Sequence, residues 1–472
     1  MHSQLLYING QWVNGLGEGT TEVRDPYDDT LVGTTARASE TQAHDAVDAA
    51  SSALQQPLQA QERATILLRT SELITERIEE FAEIIRAEAG KPITTARGEV
   101  LRAATTFRLA AEEATRLPSE TVNFDAVNGR NPLAFTVAEP VGVVAAITPF
   151  NFPLNLVAHK VGPALAAGCA VVLKPSERTP LTAGFLAHVL EDAGLTAGWF
   201  NLVTGDPRII SKAWTENPSV AVITFTGSAG VGWKLKASSP SKRHVLELGS
   251  NTGLIVAEDA DLDRAVDAVV TGGFAFSGQA CVSVQRVYVH EDIAEDFTAK
   301  LKTAVDALVA GDTRDPQTTV GPLVSKDARE RVMSWIDEAT ERGATIVSGG
   351  TLDGTVIRPT VLANVPTDAK VVYEEVFGPV VIIQTIKNLE EGLAQLNSSR
   401  YGLNTGIFTR NVDAALKFAR QAEAGTVMVN ITPSFRSDSM PYGGVKDSGQ
   451  GREGVKYAIA ELLEQKLIVL SN

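Results

Sequence analysis

Residues 141–174, VGVVAAITPFNFPLNLVAHKVGPALAAGCAVVLK, decide the fold class of this chain. An apolar strand-like run is followed by the loop TPFNFPL, an alanine-rich helical run and a second apolar strand, AVVLK. Further alternations of the same kind follow at residues 182–193, 199–203, 220–225 and 254–256. Repeated alternation of helices with short strands rich in Val, Ile and Leu indicates a parallel sheet wound as in a dinucleotide-binding domain. The predicted fold class is therefore α/β.

The composition limits the classes of function. The chain has 472 residues, which is long enough for about two to four domains with a sizeable core. Its 57 acidic and 42 basic residues give a formal net charge of −15. That field repels nucleic acid and anionic membranes, so neither is a predicted partner. A cytoplasmic protein is predicted from the two cysteines, the lack of a secretory signal and the lack of an apolar run near the ~18 residues of a membrane span.

Strand-like pieces and helices precede residue 141. Short strands separated by Asn-Gly and Asp-Pro turns are predicted in Leu5–Val13 and Thr20–Thr35. A helical pattern begins at Glu40, and apolar residues spaced by three, four and seven predict one long helix within Gln61–Gly90. Another alanine-rich helix is predicted from Ala96 to Arg116. These helices lack clusters of reactive side chains, and we interpret them as scaffold.

Two segments indicate contacts outside the main α/β unit. Residues Pro118–Val137 are polar, carry Asn128-Gly129 and are flanked by strand-like residues, which is typical of a protruding hairpin. The C-terminal segment Glu464–Asn472 contains the apolar run LIVL. A terminal apolar strand of this kind is suited to pairing with another element or another subunit.

Cys281 lies in the segment Gly272–Arg286, GGFAFSGQACVSVQR, between a glycine-containing stretch and a valine-rich strand. A thiol at such a junction is reachable by a substrate, whereas a lone cysteine is commonly a small buried hydrophobe. Both interpretations stay open on this segment alone. The other cysteine, Cys169, enters an apolar strand and is interpreted as packing. No two of the six histidines have metal-ligand spacing, so no metal site is predicted.

Seven motifs decide between these interpretations. In chain order they are Thr148–Pro153 (TPFNFP), Leu173–Glu177 (LKPSE), Phe225–Ser228 (FTGS), Glu247–Gly249 (ELG), Gly278–Cys281 (GQAC), Glu375–Pro379 (EVFGP) and Pro441–Lys446 (PYGGVK). Any one of them arises by chance, but all seven in this order and spacing resemble the aldehyde dehydrogenase superfamily over essentially the whole chain. The resemblance implies an aldehyde dehydrogenase-like α/β fold, with a Rossmann-like cofactor domain, an α/β catalytic domain and a small β oligomerisation element.

The resemblance implies a catalytic set made of Cys281, Glu247, Asn151 and Lys174. The thiolate of Cys281 would attack the aldehyde to give a thiohemiacetal. The Asn151 amide and the Cys281 backbone N–H would hold the developing oxyanion. Once hydride has left, Glu247 would act as the general base that hydrolyses the acyl-thioester. Taken singly, Asn151 is also interpretable as a turn residue and Glu247 as a solvated strand end.

A nicotinamide dinucleotide site is implied in the same way. No G-x-G-x-x-G fingerprint follows a strand here, and the family uses the Phe-Thr-Gly-Ser turn instead, with Gly227 in a tight turn and Ser228 facing the pyrophosphate. Lys174 and Glu177 would bond the adenosine ribose, and Glu375 the nicotinamide ribose. A carboxylate repels a 2′-phosphate, so Glu177 favours NAD over NADP. The implied cofactor-binding residues are Ile147, Thr148, Pro149, Lys174, Ser176, Glu177, Gly205, Phe225, Gly227, Ser228, Leu248, Glu375 and Phe377.

The Lys174–Glu177 motif has a second interpretation. Its serine and the following threonine are typical of a helix start, with Ser176 or Thr179 as the N-cap. Both interpretations are compatible, since a helix N-terminus is also where a nucleotide phosphate binds.

The predicted substrate-binding residues are Asn151, His159, Arg436 and Tyr442. The strings CVSVQR, from Cys281, and FRSDSMPYGG, around Arg436, are similar to the lactaldehyde dehydrogenase-like branch of the family. His159 follows Asn151 by eight residues, two helical turns, so one helix could aim it at the pocket. We expect Arg436 and His159 to favour a small polar or anionic aldehyde. A surface arginine and a core histidine are the alternative.

Domain boundaries follow from these assignments. Residues 1–117 and 138–246 are predicted to form the NAD-binding domain, 247–447 the catalytic domain, and 118–137 with 448–472 the oligomerisation element. A homodimer or homotetramer is implied. Retention of Glu247 favours hydrolysis to the free acid, because CoA-acylating relatives lack this glutamate. A CoA-acylating dehydrogenase, a cofactor-free cysteine hydrolase or acyltransferase, and a binding protein without catalysis remain the rival functions.

Overall fold

The computed structural model describes residues 2–123, 125 and 132–470. The elements of its first half, in chain order, are β1 (His2–Gln4), β2 (Leu6–Ile8), β3 (Gln11–Val13), β4 (Thr20–Arg24), β5 (Leu31–Ala36), α1 (Glu40–Ala53), α2 (Ala60–Glu76), α3 (Ile78–Ala89), α4 (Ile93–Ala114), β6 (Leu133–Pro140), β7 (Val143–Ile147), α5 (Asn155–Ala167), β8 (Ala170–Lys174), α6 (Leu181–Asp192), β9 (Phe200–Leu202), α7 (Pro207–Glu216), β10 (Val220–Thr226), α8 (Ala229–Ser238) and β11 (Arg243–Glu247).

The second half continues the alternation. Its elements are β12 (Thr252–Val256), α9 (Leu262–Phe274), β13 (Val284–His290), α10 (Ala294–Asp306), α11 (Lys326–Glu341), β14 (Thr345–Ser348), β15 (Leu352–Asp353), β16 (Val356–Ile357), β17 (Thr360–Ala363), α12 (Lys370–Tyr373), β18 (Val380–Ile386), α13 (Leu389–Asn397), β19 (Tyr401–Gly402), β20 (Asn404–Phe408), α14 (Val412–Gln421), β21 (Thr426–Val429), β22 (Val445–Lys446), β23 (Gly449–Gln450), α15 (Val455–Glu461) and β24 (Leu463–Leu470).

An eight-stranded sheet organises the first half, in the order β23-β11-β10-β7-β8-β9-β2-β3. Its central strands are parallel, with Ile147 paired to Lys174 and to Phe225, and Thr226 paired to Glu247. The carboxyl ends of β7, β8, β10 and β11 therefore meet at one edge, which is where ligands bind in open α/β sheets. Helices α2–α6 pack a large apolar core against one face of this sheet, and Cys169 lies fully buried in it.

A seven-stranded sheet organises the second half, in the order β14-β17-β18-β13-β12-β20-β21. All pairs are parallel except that of β14 with β17. Cys281 lies in the connection from α9 to β13. Phe276, Ser277 and Gly278 there have φ of 47°, 58° and 70°, a left-handed run that turns the chain sharply. A Cβ on Gly278 would lie 2.1 Å from the Gly378 carbonyl oxygen, so only glycine fits.

The glycines before this turn serve close packing. Gly272 and Gly273 lie in the buried last turn of α9. A Cβ on Gly272 would come within 2.5 Å of Thr432 Oγ1, and one on Gly273 within 2.6 Å of Val381 Cγ2. They let the helix pack closely on its neighbours and hold the turn in place.

Two predicted helices have other limits in the structure. The single helix expected over Gln61–Gly90 is two helices, because the backbone of Arg77 leaves helical geometry, with φ −106° and ψ 28°. The Arg77 guanidinium pairs with Asp192 at 2.5 Å. The bend lets α3 bury its own apolar face. The helix expected from Ala96 begins three residues earlier, at Ile93.

β6 and β24 form a separate antiparallel ribbon, registered from Leu133 opposite Leu470 to Pro140 opposite Leu463. Leu467, Val469 and Leu470 are about half exposed on it. The predicted Asn128-Gly129 hairpin tip lies outside the described residues. Residues 448–462 supply β23 to the first sheet and α15, which packs on α5.

The α/β fold class expected from the segment 141–174 is confirmed by these two sheets. Within the described residues, no helix combines the length and apolarity that crossing a membrane requires.

Candidate active site

A cavity of about 440 Å³ lies where the carboxyl edge of the first sheet faces the turn that carries Cys281. Both halves of the chain contribute walls, so neither half has the cavity alone. Its lining is Arg102, Pro149, Phe150, Asn151, Phe152, Asn155, Leu156, Thr226, Gly227, Ser228, Glu247, Leu248, Gly249, Gly272, Ala275, Ala280, Cys281, Val282, Glu375, Phe377, Ser434, Arg436 and Tyr442.

Cys281 Sγ lies 2.8 Å from the hydroxyl oxygen of Tyr442. Val282, Leu403 and Tyr442 form the small apolar cluster against which the cysteine packs. Burial raises the pKa of the thiol to about 11, while the Tyr442 hydrogen bond and the Arg436 guanidinium oppose that rise. The thiolate is the nucleophilic form, so these two side chains bear directly on the reactivity of Cys281.

Asn151 is buried in the turn between β7 and α5 and lines the same cavity. Its Nδ2 donates to the carbonyl of Gln279 at 2.8 Å, two residues before Cys281. Its Oδ1 is buried without a hydrogen-bond partner among the described residues. The amide therefore ties the Asn151 turn to the Cys281 turn and keeps a second N–H for another acceptor.

Glu247 ends β11 and presents a buried carboxylate to the cavity. Neither of its oxygens has a hydrogen-bond partner among the described residues. Burial, with the neighbouring Glu453 charge, raises the pKa of Glu247 well above its ordinary value. A buried, unpartnered carboxyl beside a thiol is available to take a proton from a water molecule that enters the cavity.

Arg436 is part of the cavity wall rather than an exposed surface residue. Its guanidinium lies 3.8 Å over the ring of Tyr442 and donates to Glu453 at 3.0 Å. Glu453 also accepts from Lys160 at 2.9 Å, and these cations with His159 overcome its burial and lower its pKa to about 2. Arg436 is thus held in place by a charged carboxylate, and its side chain still reaches the cavity.

His159 is not brought to the cavity wall, contrary to the expected aim along one helix. Helix α5 begins at Asn155, so Asn151 lies outside it and counting helical turns from Asn151 fails. The imidazole of His159 is fully buried, and its Nε2 lies 2.9 Å from Asp438. Burial lowers its pKa. The alternative interpretation, a core histidine, describes its position.

Arg102 is a charged cavity residue that sequence reasoning missed. It lies on α4, a helix whose sequence pattern indicates scaffold, and its guanidinium donates to Asp438 at 2.6 Å. Asp438 thereby holds both Arg102 and His159. Glu99 and Arg102 lie three residues apart, so the sequence places two charged side chains on one face of a helix that is largely buried. Charged residues on such a face are unusual, and this was the signal that could have identified Arg102.

Several predicted cofactor residues line the opposite part of the cavity. Gly227 and Ser228 lie at the start of α8, and Pro149, Leu248, Glu375 and Phe377 complete this wall. Glu375 accepts from the Ser250 backbone N–H at 2.8 Å, and burial raises its pKa to about 7. A Cβ on Gly249 would come within 2.6 Å of that carboxylate.

These walls fit a bound nicotinamide ribose and pyrophosphate. The buried hydroxyls of Thr148 and Thr226 have no partner among the described residues. Thr148 directly follows β7, and Thr226 ends β10 two residues before Ser228. Glu375 could accept from ribose hydroxyls, and the N-terminus of α8 could hold an anionic phosphate. The donor set therefore suits the predicted group.

The predicted adenosine residues lie at the end of β8 and in the loops beside it. Lys174 donates to the Pro175 carbonyl at 3.1 Å, and burial lowers its pKa to about 8. Glu177 lies 3.6 Å from Arg37, a residue that sequence reasoning did not select. Gly205, with φ of 130°, packs against the backbone of Arg37.

The expected N-cap residues do not cap the next helix. Ser176 accepts from the Arg178 backbone, and α6 begins only at Leu181. The first N–H groups of α6 instead donate to Glu88, at 2.8 Å from Leu181 and 3.0 Å from Thr182. A carboxylate from α3 thus replaces a local cap.

Comparison with known proteins agrees with this site. Residues 12–468 match the profile described as "Aldehyde dehydrogenase family". The chain is 45% identical to a 3-sulfolactaldehyde dehydrogenase of Priestia aryabhattai, over 99% of this chain and 98% of the relative. It is 39% identical to a lactaldehyde dehydrogenase of Methanococcus vannielii, over 99% and 100%. A crystal structure described as an E. coli NADP dependent enzyme superposes with a TM-score of 0.97 at 36% identity, covering 100% of this chain and 98% of the other.

The chain belongs to the aldehyde dehydrogenase family. It is an NAD(P)-dependent aldehyde dehydrogenase, which confirms the enzyme class and the fold expected from the seven motifs.

Proposed function

We propose that this chain oxidises a small polar or anionic aldehyde to the free carboxylate, with Cys281 as nucleophile, Glu247 as general base and NAD as hydride acceptor. The observation that carries the proposal is the convergence of four side chains on one cavity. Cys281 and Glu247 supply the chemistry, and Arg102 and Arg436 supply positive charge beside it.

The first step is attack of the Cys281 thiolate on the aldehyde carbon. A C–S bond forms, and the carbonyl π electrons move to oxygen. The free N–H of Asn151 and the backbone N–H of Cys281 would stabilise that oxyanion. Glu375 and Phe377 would hold the nicotinamide, which would supply the acceptor for the hydride that leaves the former aldehyde carbon. The carbonyl then re-forms as an acyl-thioester on Cys281.

Hydrolysis completes the cycle. Glu247 removes a proton from water, the hydroxide adds to the thioester carbon, and the C–S bond breaks to release the carboxylic acid and the Cys281 thiolate. The acid then loses its proton to solvent and leaves as the carboxylate. The raised pKa of Glu247 suits this role, because a base with a pKa nearer the working pH removes a proton from water more readily than an ordinary carboxylate. Release by water rather than by coenzyme A follows from this carboxylate.

Positive charge at the cavity supports an anionic substrate. Arg436 is held by Glu453 and stacked on Tyr442, so its guanidinium is fixed beside the thiol. Arg102 approaches from α4 and is held by Asp438. A carboxylate, sulfonate or phosphate on the substrate would meet two oriented guanidinium groups, which bind such oxyanions well. The activities that name the relatives, 3-sulfolactaldehyde and lactaldehyde oxidation, fit this chemistry.

NAD is the proposed cofactor, because a carboxylate such as Glu177 at the adenosine ribose would repel a 2′-phosphate. Arg37 lies 3.6 Å from that carboxylate and weakens the repulsion. A homodimer or homotetramer is proposed as well. Its basis is the half-exposed apolar ribbon of β6 and β24, which would be covered by another copy of the chain.

The test is NADH formation at 340 nm with sulfolactaldehyde, lactaldehyde and a long aliphatic aldehyde, with and without coenzyme A. Cys281→Ala should abolish NADH formation. Glu247→Gln should give a burst of about one NADH per site and then slow turnover, because deacylation stalls. A full steady-state rate in Glu247→Gln would remove Glu247 from its role. A requirement for added coenzyme A would instead establish the acylating reaction.

Arg436→Ala tests the substrate class. It should lower kcat/KM for both aldehydes, because the guanidinium also lowers the pKa of the Cys281 thiol. The sulfonate should lose about tenfold to a hundredfold more than the long aliphatic aldehyde. Equal losses for both substrates would show that Arg436 has no role in reading substrate charge.

A further inference from the structure

Lys91 is a fully buried lysine that the proposed reaction does not use. Its ammonium lies 3.8 Å from the ring centroid of Phe152 and 4.4 Å from that of Phe276. The two rings meet edge to face with centroids 6.3 Å apart. A desolvated cation within about 6 Å of an aromatic face is attracted to it, and here one cation contacts two rings.

The two rings belong to the two turns that build the reactive centre. Phe152 directly follows Asn151 and lines the cavity. Phe276 begins the left-handed run that leads to Cys281, and its φ of 47° is a conformation that an aromatic residue adopts only when its surroundings hold it there. Lys91 is therefore in contact with both turns at once.

Glu99 links Lys91 to one of these turns a second time. Its carboxylate pairs with the Lys91 ammonium inside the protein. The same carboxylate accepts from the backbone N–H groups of Leu154, at 2.9 Å, and Asn155, at 3.1 Å. These N–H groups belong to the N-cap and the first residue of α5, so Glu99 fixes the chain three and four residues after Asn151.

We propose that Lys91 is a positioning residue that sets the distance between the Asn151 amide and the Cys281 thiol by clamping Phe152 and Phe276. The inference rests on the proposed function, since it concerns the same thiol and amide. Removing the ammonium frees the Phe276 turn to relax while Glu99 still holds the start of α5. A misplacement of about 1 Å at a reacting centre costs about a hundredfold in rate.

If the Lys91–Glu99 ion pair had only a structural role, the variants would behave differently. Replacing both members of a buried pair with neutral groups is often neutral or stabilising, whereas removing one leaves an uncompensated charge. The variant Lys91→Met leaves Glu99 unpaired, and the double variant Lys91→Met/Glu99→Gln does not. The amide oxygen that Glu99→Gln introduces would still accept from the α5 backbone. The double variant therefore separates the aromatic clamp from the charge balance.

The experiment compares wild type, Lys91→Met, the double variant and Phe276→Leu, with Lys236→Met as a matched control. Lys236 also lies over an aromatic ring, Trp233 at 5.3 Å, but does not line the cavity. Four quantities are measured: Tm, Kd for NAD by fluorescence, the rate of Cys281 alkylation by iodoacetamide, and the NADH burst rate in a single turnover.

All three clamp variants should lower the burst rate by about tenfold to a hundredfold, with NAD Kd within about twofold of wild type. The double variant should recover Tm relative to Lys91→Met and still show the slow burst. Recovery of the burst rate in the double variant would overturn the proposal, because the defect would then come from the unpaired Glu99 charge. A burst rate unchanged in Phe276→Leu would also overturn it.

If the proposed function is wrong, the measurements give a different pattern. Wild type would then give no NADH burst with any aldehyde, while the alkylation rate of Cys281 would still report on the clamp. The Cys281 alkylation rate should differ at least about threefold between wild type and the double variant, and Lys236→Met should leave it unchanged. Equal alkylation rates in all variants would overturn the positioning role by itself.

Discussion

The hydroxyl of Tyr442 lies 2.8 Å from the sulfur of Cys281. The tyrosine lies in a loop 161 residues later in the chain than the cysteine. The Arg436 guanidinium stacks on one face of its ring. The hydrogen bond and the guanidinium are the two influences that lower the pKa of a thiol whose burial raises it to about 11. On the proposed mechanism, the Arg436–Tyr442 stack therefore helps to activate the Cys281 thiol.

Tyr442→Phe should raise the pKa of Cys281 further. Loss of one hydrogen bond of about 1 kcal/mol corresponds to about 0.7 of a pH unit. Since only the thiolate reacts, alkylation and the NADH burst at about pH 7.5 should both slow by about fivefold. The measurement is the rate of iodoacetamide alkylation between about pH 7 and 10. Tyr457→Phe, on the exposed side of α15, is the control. An unshifted profile would mean that the hydroxyl does not tune the thiol.

With Glu247 as the proposed general base, we expect deacylation to depend on pH. Its pKa is raised well above the ordinary value of 4.5, chiefly by burial and then by the Glu453 charge. A base acts only when ionised, so the rate of thioester hydrolysis should increase with pH through a midpoint well above that value. Steady-state turnover in saturating aldehyde and NAD, measured from about pH 5 to 9, should show this rise.

The Glu247→Gln variant checks the assignment. The slow residual turnover of this variant should no longer increase with pH, because no carboxyl remains to ionise at that position. A rise of unchanged midpoint in Glu247→Gln would place the titrating group elsewhere in the cavity.

The fold was readable from the sequence because its signals are local. Alternating apolar strands and helices around residues 141–174 determine a parallel sheet, and register then brings Ile147, Lys174 and Glu247 to one edge. The seven motifs indicated the Cys281 turn and the Asn151 turn through their resemblance to a known family, not through a local signal, since both turns depend on contacts with distant residues.

Contacts between distant segments could not be predicted from local sequence patterns. Arg102 pairs with Asp438, 336 residues away, and nothing in α4 predicts that partner. The expected position of His159 was wrong because it required Asn151 to belong to α5, whereas the helix starts at Asn155. The cap of α6 by Glu88 has the same origin, since a side chain from another helix replaced the local serine or threonine.

Arg37 should control discrimination between NAD and NADP. Its guanidinium lies 3.6 Å from Glu177, so it offsets the charge that would repel a 2′-phosphate. Arg37→Met should weaken NADP binding by about threefold to tenfold and change NAD binding by less than about twofold. Dissociation constants from protein fluorescence give both values without turnover. Arg69→Met, an exposed arginine on α2, is the control, and equal effects on both nucleotides would contradict the assignment.

Arg102 should distinguish anionic from neutral substrates, because it lines the cavity while Asp438 holds its guanidinium in place. A hydrogen bond to a charged group contributes about 1.5–3 kcal/mol, which is about a tenfold to hundredfold effect on kcat/KM. Arg102→Met should therefore impair oxidation of a sulfonated aldehyde by that factor and of lactaldehyde by less than about threefold. Arg108→Met is the matched control, since Arg108 is exposed on the same helix and pairs with Glu112. Steady-state kinetics with both aldehydes give the comparison. If Arg102→Met instead raises KM for NAD, the residue acts on the cofactor side of the cavity, and Arg436 alone reads the substrate charge.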